Sequence, residues 1–288
     1  MAPPLVNQSR SLRIDKQPMQ LSDYLNRINY NGPLNVDLET LNNIHQHHLY
    51  AIPYEDLDVQ LGRPLTTDIP AAYNKIVNQG RGGWCYEMNG LLGWALEEIG
   101  FKIQRVCAGV NRKERGDAVV GSHLVLLTEL DQTYIIDVGF GDAFLHPLPL
   151  KEGNYSERGF DFRLEHLPDG YWRVHNHQFG GAPNFDFRTD PADESQLETV
   201  CQGLQTSEHS PFVMALIAQL FVQDGFEIQV GRTARKVTSA GVETKLLDSA
   251  DELQDRLKSV FSLDVPEVTR LWPTIVERHD QLFGDGTN

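Results

Sequence analysis

The chain has 288 residues, 40% of them hydrophobic, and a formal net charge of −15. That length suits about two domains, or one domain with appendages, and supplies ample material for a core. The negative charge, with no basic run to offset it, argues against nucleic acid or an anionic membrane as the main partner.

Residues 1–18 read as an extended or loosely attached arm, without the apolar centre of a signal peptide. Ser22 can cap a short helix carrying Leu25 and Ile28, which Gly32-Pro33 stops. Asp37 can cap a second helix with Leu38, Leu41, Ile44 and His48 on one stripe, ended by Pro53. His45, His47 and His48 invite a metal reading. Nothing acidic or sulfur-bearing completes a site, so they read as a helix-surface cluster. Pro70 suits the first turn of a third helix through Ile76 and Val77 to Gly80. Tyr86 to Ile99 is a fourth, with Leu91, Leu92, Ala95, Leu96 and Ile99 at helical spacing and Gly100 as its cap.

The pattern then changes. Phe101 to Val110, His123 to Leu130 and Thr133 to Val138 read as strands, the last two joined by a turn at Asp131-Gln132. Further strands are expected at Phe160 to Leu164, Tyr171 to His175 and Phe185 to Arg188. Short strands at this spacing suggest an antiparallel sheet or small barrel. His175 and His177 would share a strand face, too little for a metal site. Asp190-Pro191 to Ser195 reads as a linker. Pro211 to Val222 is apolar, and Phe226 to Val230 and Arg235 to Thr238 read as strands. Ser249 and Glu252 form a capping box for a helix to Val260, and a final helix spans Pro266 to Leu282. No apolar run approaches the ~20 residues of a membrane helix. Helices, then strands, then a mixture describe an α+β protein in about three parts.

Three cysteines, Cys85, Cys107 and Cys201, give no disulfide framework and no Cys-x-x-Cys, which fits a reducing, cytoplasmic setting. Cys85 follows Gly82-Gly83-Trp84 and falls at the start of the fourth helix. Unpaired N–H groups and the helix dipole there favour a thiolate. A buried structural cysteine is the competing reading. A nucleophilic thiol needs a base and a group to orient it. His123 begins one strand of the hairpin and Asp137 ends the other. With a two-residue turn, position 123 falls near position 140, so His123 and Asp137 share an end of the sheet. A surface histidine and a turn aspartate remain the alternative at this point.

Arg81-Gly82-Gly83-Trp84-Cys85-Tyr86-Glu87-Met88-Asn89 resembles the segment around the active cysteine of the arylamine N-acetyltransferases. His48-Leu-Tyr-Ala-Ile-Pro-Tyr-Glu-Asp-Leu57 resembles an upstream segment, with Tyr54 for a Phe and Asp56 for an Asn. Ser122-His123-Leu124 and Tyr134-Ile-Ile-Asp137-Val-Gly139-Phe140-Gly141 resemble the histidine and aspartate segments, and Leu204-Gln205-Thr206-Ser207 a later one.

The resemblance implies a helical domain over 1–100, an antiparallel β-barrel domain over 101–195 and an α/β lid over 196–288. It also implies a core like that of cysteine proteases and transglutaminases, and a triad of Cys85, His123 and Asp137. The implied reaction is ping-pong acetyl transfer from acetyl-CoA, as co-substrate, to arylamines and arylhydrazines, with O-acetylation of N-hydroxyarylamines. An acetyl-Cys85 intermediate carries it, no metal is required, and the setting is xenobiotic metabolism in the cytoplasm. Val119, Val120 and His209 fall on CoA-contacting positions, although relatives carry a hydroxyl residue where His209 stands. Ser122 borders the acceptor, and Tyr54 lines the acceptor pocket or packs. The backbone N–H of Cys85 is a candidate oxyanion donor, while Glu87 and Asn89 brace the turn. Two other classes compete: a Cys-His-Asp hydrolase or transglutaminase-like enzyme, and a scaffold that keeps the fold without the activity.

Overall fold

A computed structural model describes residues 18–284, without the side chains of Leu282 and Phe283. The expected N-terminal arm falls outside the described residues up to position 17. Helix α1 (Leu21–Arg27) follows Gln20, and Ser22 lies inside it rather than capping it. Asn29, at φ +55°, turns the chain out before Gly32 is reached. Helix α2 (Leu38–Ala51) begins where Asp37 accepts the Thr40 N–H, the expected cap. A two-residue strand β1 (Tyr54–Glu55), helix α3 (Leu57–Gln60) and helix α4 (Ile69–Tyr73) follow, the last with Pro70 in its first turn. Helix α4 runs into a π-helical turn, Asn74–Asn78, on which Lys75 is buried. Such turns commonly mark functional positions. Helix α5 (Cys85–Ile99) ends at Gly100, whose φ of +113° excludes a side chain at low cost. Eleven of the residues of α5 are buried, so it serves as the central rod of the core.

Next come β2 (Ile103–Val110), the short α6 (Arg112–Arg115), β3 (His123–Glu129) and β4 (Thr133–Ile136). They are followed by β5 (Leu148–Pro149), β6 (Gly153–Glu157), β7 (Phe160–His166), β8 (Trp172–His175) and β9 (Asn184–Phe187). These strands make one antiparallel sheet in the order β5-β4-β3-β2-β9-β8-β7-β6. Strands β5 and β6 are its opposite edges, yet only residues 150–152 lie between them. A flat sheet of this width would put the edges roughly 34 Å apart. The link from Pro149 to Gly153 can span at most roughly 14 Å. The sheet must therefore curl until its edges meet, and there Tyr155 donates to the carbonyl of Lys151 at 2.6 Å. No ladder among the described strands joins β5 to β6. The hairpin register differs by one from the simple expectation. Glu129 pairs with Thr133, so the turn takes three residues and position 123 falls opposite 139.

The last third holds α7 (Glu194–Thr206), α8 (Pro211–Met214), β10 (Ile217–Val222), β11 (Gly225–Val230), β12 (Thr233–Thr238) and β13 (Gly241–Leu246). Helix α9 (Ala250–Phe261) and α10 (Trp272–Phe283) close the chain. The expected linker ends at Asp193, which caps α7 through its carboxylate, and Ser195 is already helical. The expected last helix is two pieces, a 3-10 turn over Pro266–Leu271 and then α10. A second sheet runs β1-β10-β11-β12-β13, so a strand from the helical first part edges the C-terminal sheet. One face of that sheet packs Leu216, Ala218 and Ala234 against Leu253, Leu257 and Phe261. The other turns Phe221, Phe226, Ile228 and Val237 toward the curled sheet, where Phe226 meets Phe160 at 5.0 Å.

Asp56 sits at this seam with no exposed surface. One carboxylate oxygen accepts the Ile217 N–H at 2.8 Å, and the other has no partner among the described residues. Burial pushes its pKa well above the usual carboxylate range. The sign follows: a carboxyl raised on folding gives stability that is full below its unfolded pKa and lost as pH rises through the folded one. Asp56→Asn should remove that loss. Melting temperatures taken from pH 5 to pH 9 should fall less steeply for the variant, and parallel curves would refute the assignment.

Candidate active site

Cys85 opens α5 and is 3% exposed. Its thiol reaches the Ser122 carbonyl at 3.9 Å, on the peptide that leads into His123. His123 is the first residue of β3, and Asp137 follows the last residue of β4. Both are 2% exposed. His123 Nε2–H donates to Asp137 Oδ2 at 2.7 Å, which leaves Nδ1 as the ring's acceptor. The rings of Phe185 and Phe140 stand edge-on to the imidazole at 5.1 and 5.4 Å.

Asp137 is held from every side. Its Oδ1 accepts from Asn89 Nδ2 at 2.8 Å and from the Gly139 N–H at 2.9 Å. Asn89 lies one turn beyond Cys85 on α5. Its amide also donates to the Leu124 carbonyl at 2.6 Å and accepts the Val138 N–H at 2.9 Å. One side chain thus ties the helix that begins at Cys85 to the strand of His123 and the loop of Asp137. From α2, His45 Nδ1–H donates to the Leu145 carbonyl at 2.8 Å, and Nε2 accepts the Asp137 N–H at 3.3 Å. Burial lowers His45 to about 4, so it stays neutral and able to accept. A Cβ at Gly139 would lie 2.7 Å from the Cys85 Cα, so only glycine lets this loop close on Cys85.

The start of α5 is fixed by buried charge. Glu87 Oε2 accepts hydrogen bonds from the Trp84 N–H at 3.2 Å and from Lys75 Nζ at 2.9 Å. Lys75 also pairs with Asp58 at 3.1 Å, and Arg81 with Glu55 at 2.7 Å and Asp58 at 3.1 Å. A cavity of about 780 Å³ opens beside this network, lined by Asp58, Lys75, Arg81 and Glu87 and by none of Cys85, His123 and Asp137.

The sequence model of a family described as N-acetyltransferase matches residues 37–270. An arylamine N-acetyltransferase of Mycolicibacterium smegmatis is 33% identical over 87% of this chain and 94% of its own. Arylamine N-acetyltransferase 1 of Homo sapiens is 30% identical over 92% of this chain and 99% of its own. The solved arylamine N-acetyltransferase of Mycobacterium marinum in complex with CoA superposes with a TM-score of 0.81 at 28% identity, covering 91% of this chain and 99% of that one. The chain belongs to the arylamine N-acetyltransferase family.

As an arylamine N-acetyltransferase it is an acyltransferase. Its structure brings Cys85, Ser122, His123 and Asp137 together. Tyr54 is 6% exposed and bridges Gly83, two residues before the cysteine. Ser122 presents its carbonyl to the thiol, while its hydroxyl accepts the Val110 N–H at 3.1 Å. Val119 is buried against Gly109, and Val120 is half-buried with its carbonyl bound by Gln196 at 3.1 Å. His209 stands on the exposed turn between α7 and α8, its N–H bound to Ser207.

Two expectations about histidines do not hold. His45 and His48 are fully buried rather than on a helix surface, and His48 Nδ1 bonds the Tyr24 hydroxyl at 2.9 Å. His177 lies beyond β8 rather than on it, stacked on Phe226. Among the described residues no cluster of three or more His, Cys, Asp or Glu could hold a metal ion, and no helix is long and apolar enough to cross a membrane. The bonds from His45 and Asn89 to Asp137 were not foreseen. Asn89 at four residues from Cys85 was the available signal, since that spacing puts both on one helix face.

Proposed function

We propose that this chain acetylates aromatic amines and hydrazines with acetyl-CoA through an acetyl-Cys85 intermediate. The observation that carries the reading is the 2.7 Å bond from His123 Nε2–H to Asp137, which leaves the other ring nitrogen unprotonated, while the Cys85 thiol reaches the carbonyl of the preceding Ser122. Burial pushes the Cys85 thiol up, opposed by the backbone of Leu124 and Tyr86. A lone thiolate is therefore unfavourable here. A thiolate paired with the His123 imidazolium is a neutral unit, which Asp137 steadies.

Cys85 attacks the thioester carbonyl and CoA leaves as the thiol, so one thioester replaces another. The N–H groups at the start of α5, that of Cys85 first, are candidates to meet the developing oxyanion. The amine then attacks acetyl-Cys85, His123 takes its proton, and the thiol is regenerated. Tyr54 and Ser122 would border the acceptor, with Val119, Val120 and His209 on the CoA side. The same reading keeps the division at 1–100, 101–195 and 196–288 and the protease-like core. Cys107 and Cys201 serve packing, and burial raises the thiol of each.

The test is a burst experiment. Acetyl-CoA without amine should release one equivalent of CoA per site and add one acetyl mass to the peptide bearing Cys85. Adding an arylamine should then return the protein to its starting mass. A Cys-His-Asp hydrolase would turn over acetyl-CoA steadily with no stable mass gain. Intersecting rather than parallel double-reciprocal plots would mean direct transfer in a ternary complex and overturn the scheme.

A further inference from the structure

The cavity beside the buried charges is a second concave site, apart from Cys85, His123 and Asp137. Its volume of about 780 Å³ is that of a small-molecule site. Pro64, Leu65 and Pro70 give its walls apolar surface among the charges. Lys75 reaches it from the π-helical turn, a rare backbone form that gathers at functional sites.

Most of the charged groups on these walls are fully engaged. Lys75 Nζ meets Asp58 at 3.1 Å and Glu87 at 2.9 Å. Arg63 pairs with Asp58 and Glu267, and Asp68 accepts the Ala71 N–H at the start of α4. Two groups keep an atom free. Glu87 takes both of its bonds, from Trp84 and Lys75, on Oε2. Its Oε1 has no partner among the described residues. Arg81 bonds Glu55 and Asp58 through Nε and Nη2, and its Nη1 has no partner among them either. Both side chains line the cavity although they are almost wholly buried, Glu87 at 4% exposure and Arg81 at 8%. Buried polar atoms of this kind call for a partner.

The chemistry of the pair selects the ligand. Oε1 accepts and favours a cationic donor, while Nη1 donates and favours an anionic acceptor. Arg81 is joined to Glu87 through Glu55 and Lys75 by contacts of 2.7, 3.7 and 2.9 Å, which keeps the two groups near one another. A compact zwitterion offers both ends at once, and the apolar wall suits a hydrocarbon side chain. We propose that this cavity binds a free α-amino acid with an apolar side chain, its ammonium on Glu87 Oε1 and its carboxylate on Arg81 Nη1. An ammonium there keeps Glu87 ionised, and Glu87 holds the Trp84 N–H at the entry to α5. The amino acid is therefore an effector whose presence is felt at Cys85. Nothing in this depends on which reaction Cys85 performs.

Phenylalanine is the probe, with phenethylamine and 3-phenylpropionate as its two halves, and none of the three has an amino group on the ring. Calorimetry on protein already alkylated at Cys85 should show phenylalanine binding at least about tenfold tighter than either half, each half lacking one charge-assisted bond. Glu87→Gln should weaken phenylalanine to the level of 3-phenylpropionate. Should that variant fail to fold, Ala71→Trp fills the cavity from an exposed position on its wall. It should abolish binding and leave the unliganded rate of Cys85 alkylation unchanged. Saturating phenylalanine should speed alkylation of the unmodified wild-type protein and not of Ala71→Trp. Phenethylamine binding as tightly as phenylalanine would make this a simple cation site, and 3-phenylpropionate doing so an anion site. Either result overturns the inference. So does binding by none of the three, which leaves both atoms to water, binding that is lost once Cys85 is alkylated, or an alkylation rate that phenylalanine does not change.

Discussion

Asp137→Asn should slow acetylation of Cys85 by about 10⁴-fold while leaving the fold in place, as expected when an orienting carboxylate becomes an amide. The surroundings decide which way the amide turns. Oδ1 of Asp137 faces two donors, Asn89 Nδ2 and the Gly139 N–H. The amide oxygen must occupy that position, so the amide nitrogen must face His123. His123 Nε2 then has to accept, its proton moves to Nδ1, and the ring can no longer take the thiol proton. The CoA burst in stopped flow measures the effect. A melting temperature within a few degrees of wild type confirms folding, and a burst slowed less than tenfold would refute the orienting role.

Lys75→Met should cost about 3–5 kcal/mol, the scale of breaking a buried ion-pair cluster from one side. For a chain of this size that is a fall of about 10 °C in melting temperature. Lys75 is the cation shared by Glu55, Asp58 and Glu87, and burial already raises Glu87. Without the ammonium, the folded pKa of Glu87 rises further, and Asp58 loses one of the two cations that hold it below the usual carboxylate range. A carboxyl raised on folding contributes stability below its unfolded pKa and loses it as pH climbs. The deficit should therefore widen from pH 5 to pH 8 and narrow toward acid. A pH-independent deficit would point to lost packing alone. Because Glu87 also binds the Trp84 N–H, slower alkylation of Cys85 should accompany the loss.

Much of the scaffold was legible because it rests on local chemistry. Asp37 caps α2, Gly100 ends α5, and runs rich in Val, Ile and Leu mark β3 and β4. Cys85, His123 and Asp137 stood at the ends of elements whose boundaries could be read. What escaped depends on distant partners or weak apolar signal. His45 is buried by a carbonyl and an N–H roughly a hundred residues away in sequence. Helix α7 buries only Leu197 and Cys201, so its stripe is thin. Strand β13 is mostly exposed and polar, and β1 is strand only because β10 is there to pair with it. The hairpin register moved by one because Leu130 joined the turn, a choice no composition rule fixes.

The pairing of Tyr54–Glu55 with Gln219–Ala218 also sets a schedule for the newly made chain. Domains generally fold as they leave the ribosome, N-terminal parts first. Here the strand beside the Cys85 loop finds its partner only after some 160 residues more have been synthesised. A nascent chain that already displays Cys85, His123 and Asp137 still lacks the edge that holds Tyr54, and Asp56 still lacks the Ile217 N–H. Closing such distant contacts is slow relative to local helix formation. The strand edge beside the Cys85 loop therefore closes late in synthesis, and a chain released early is made without it.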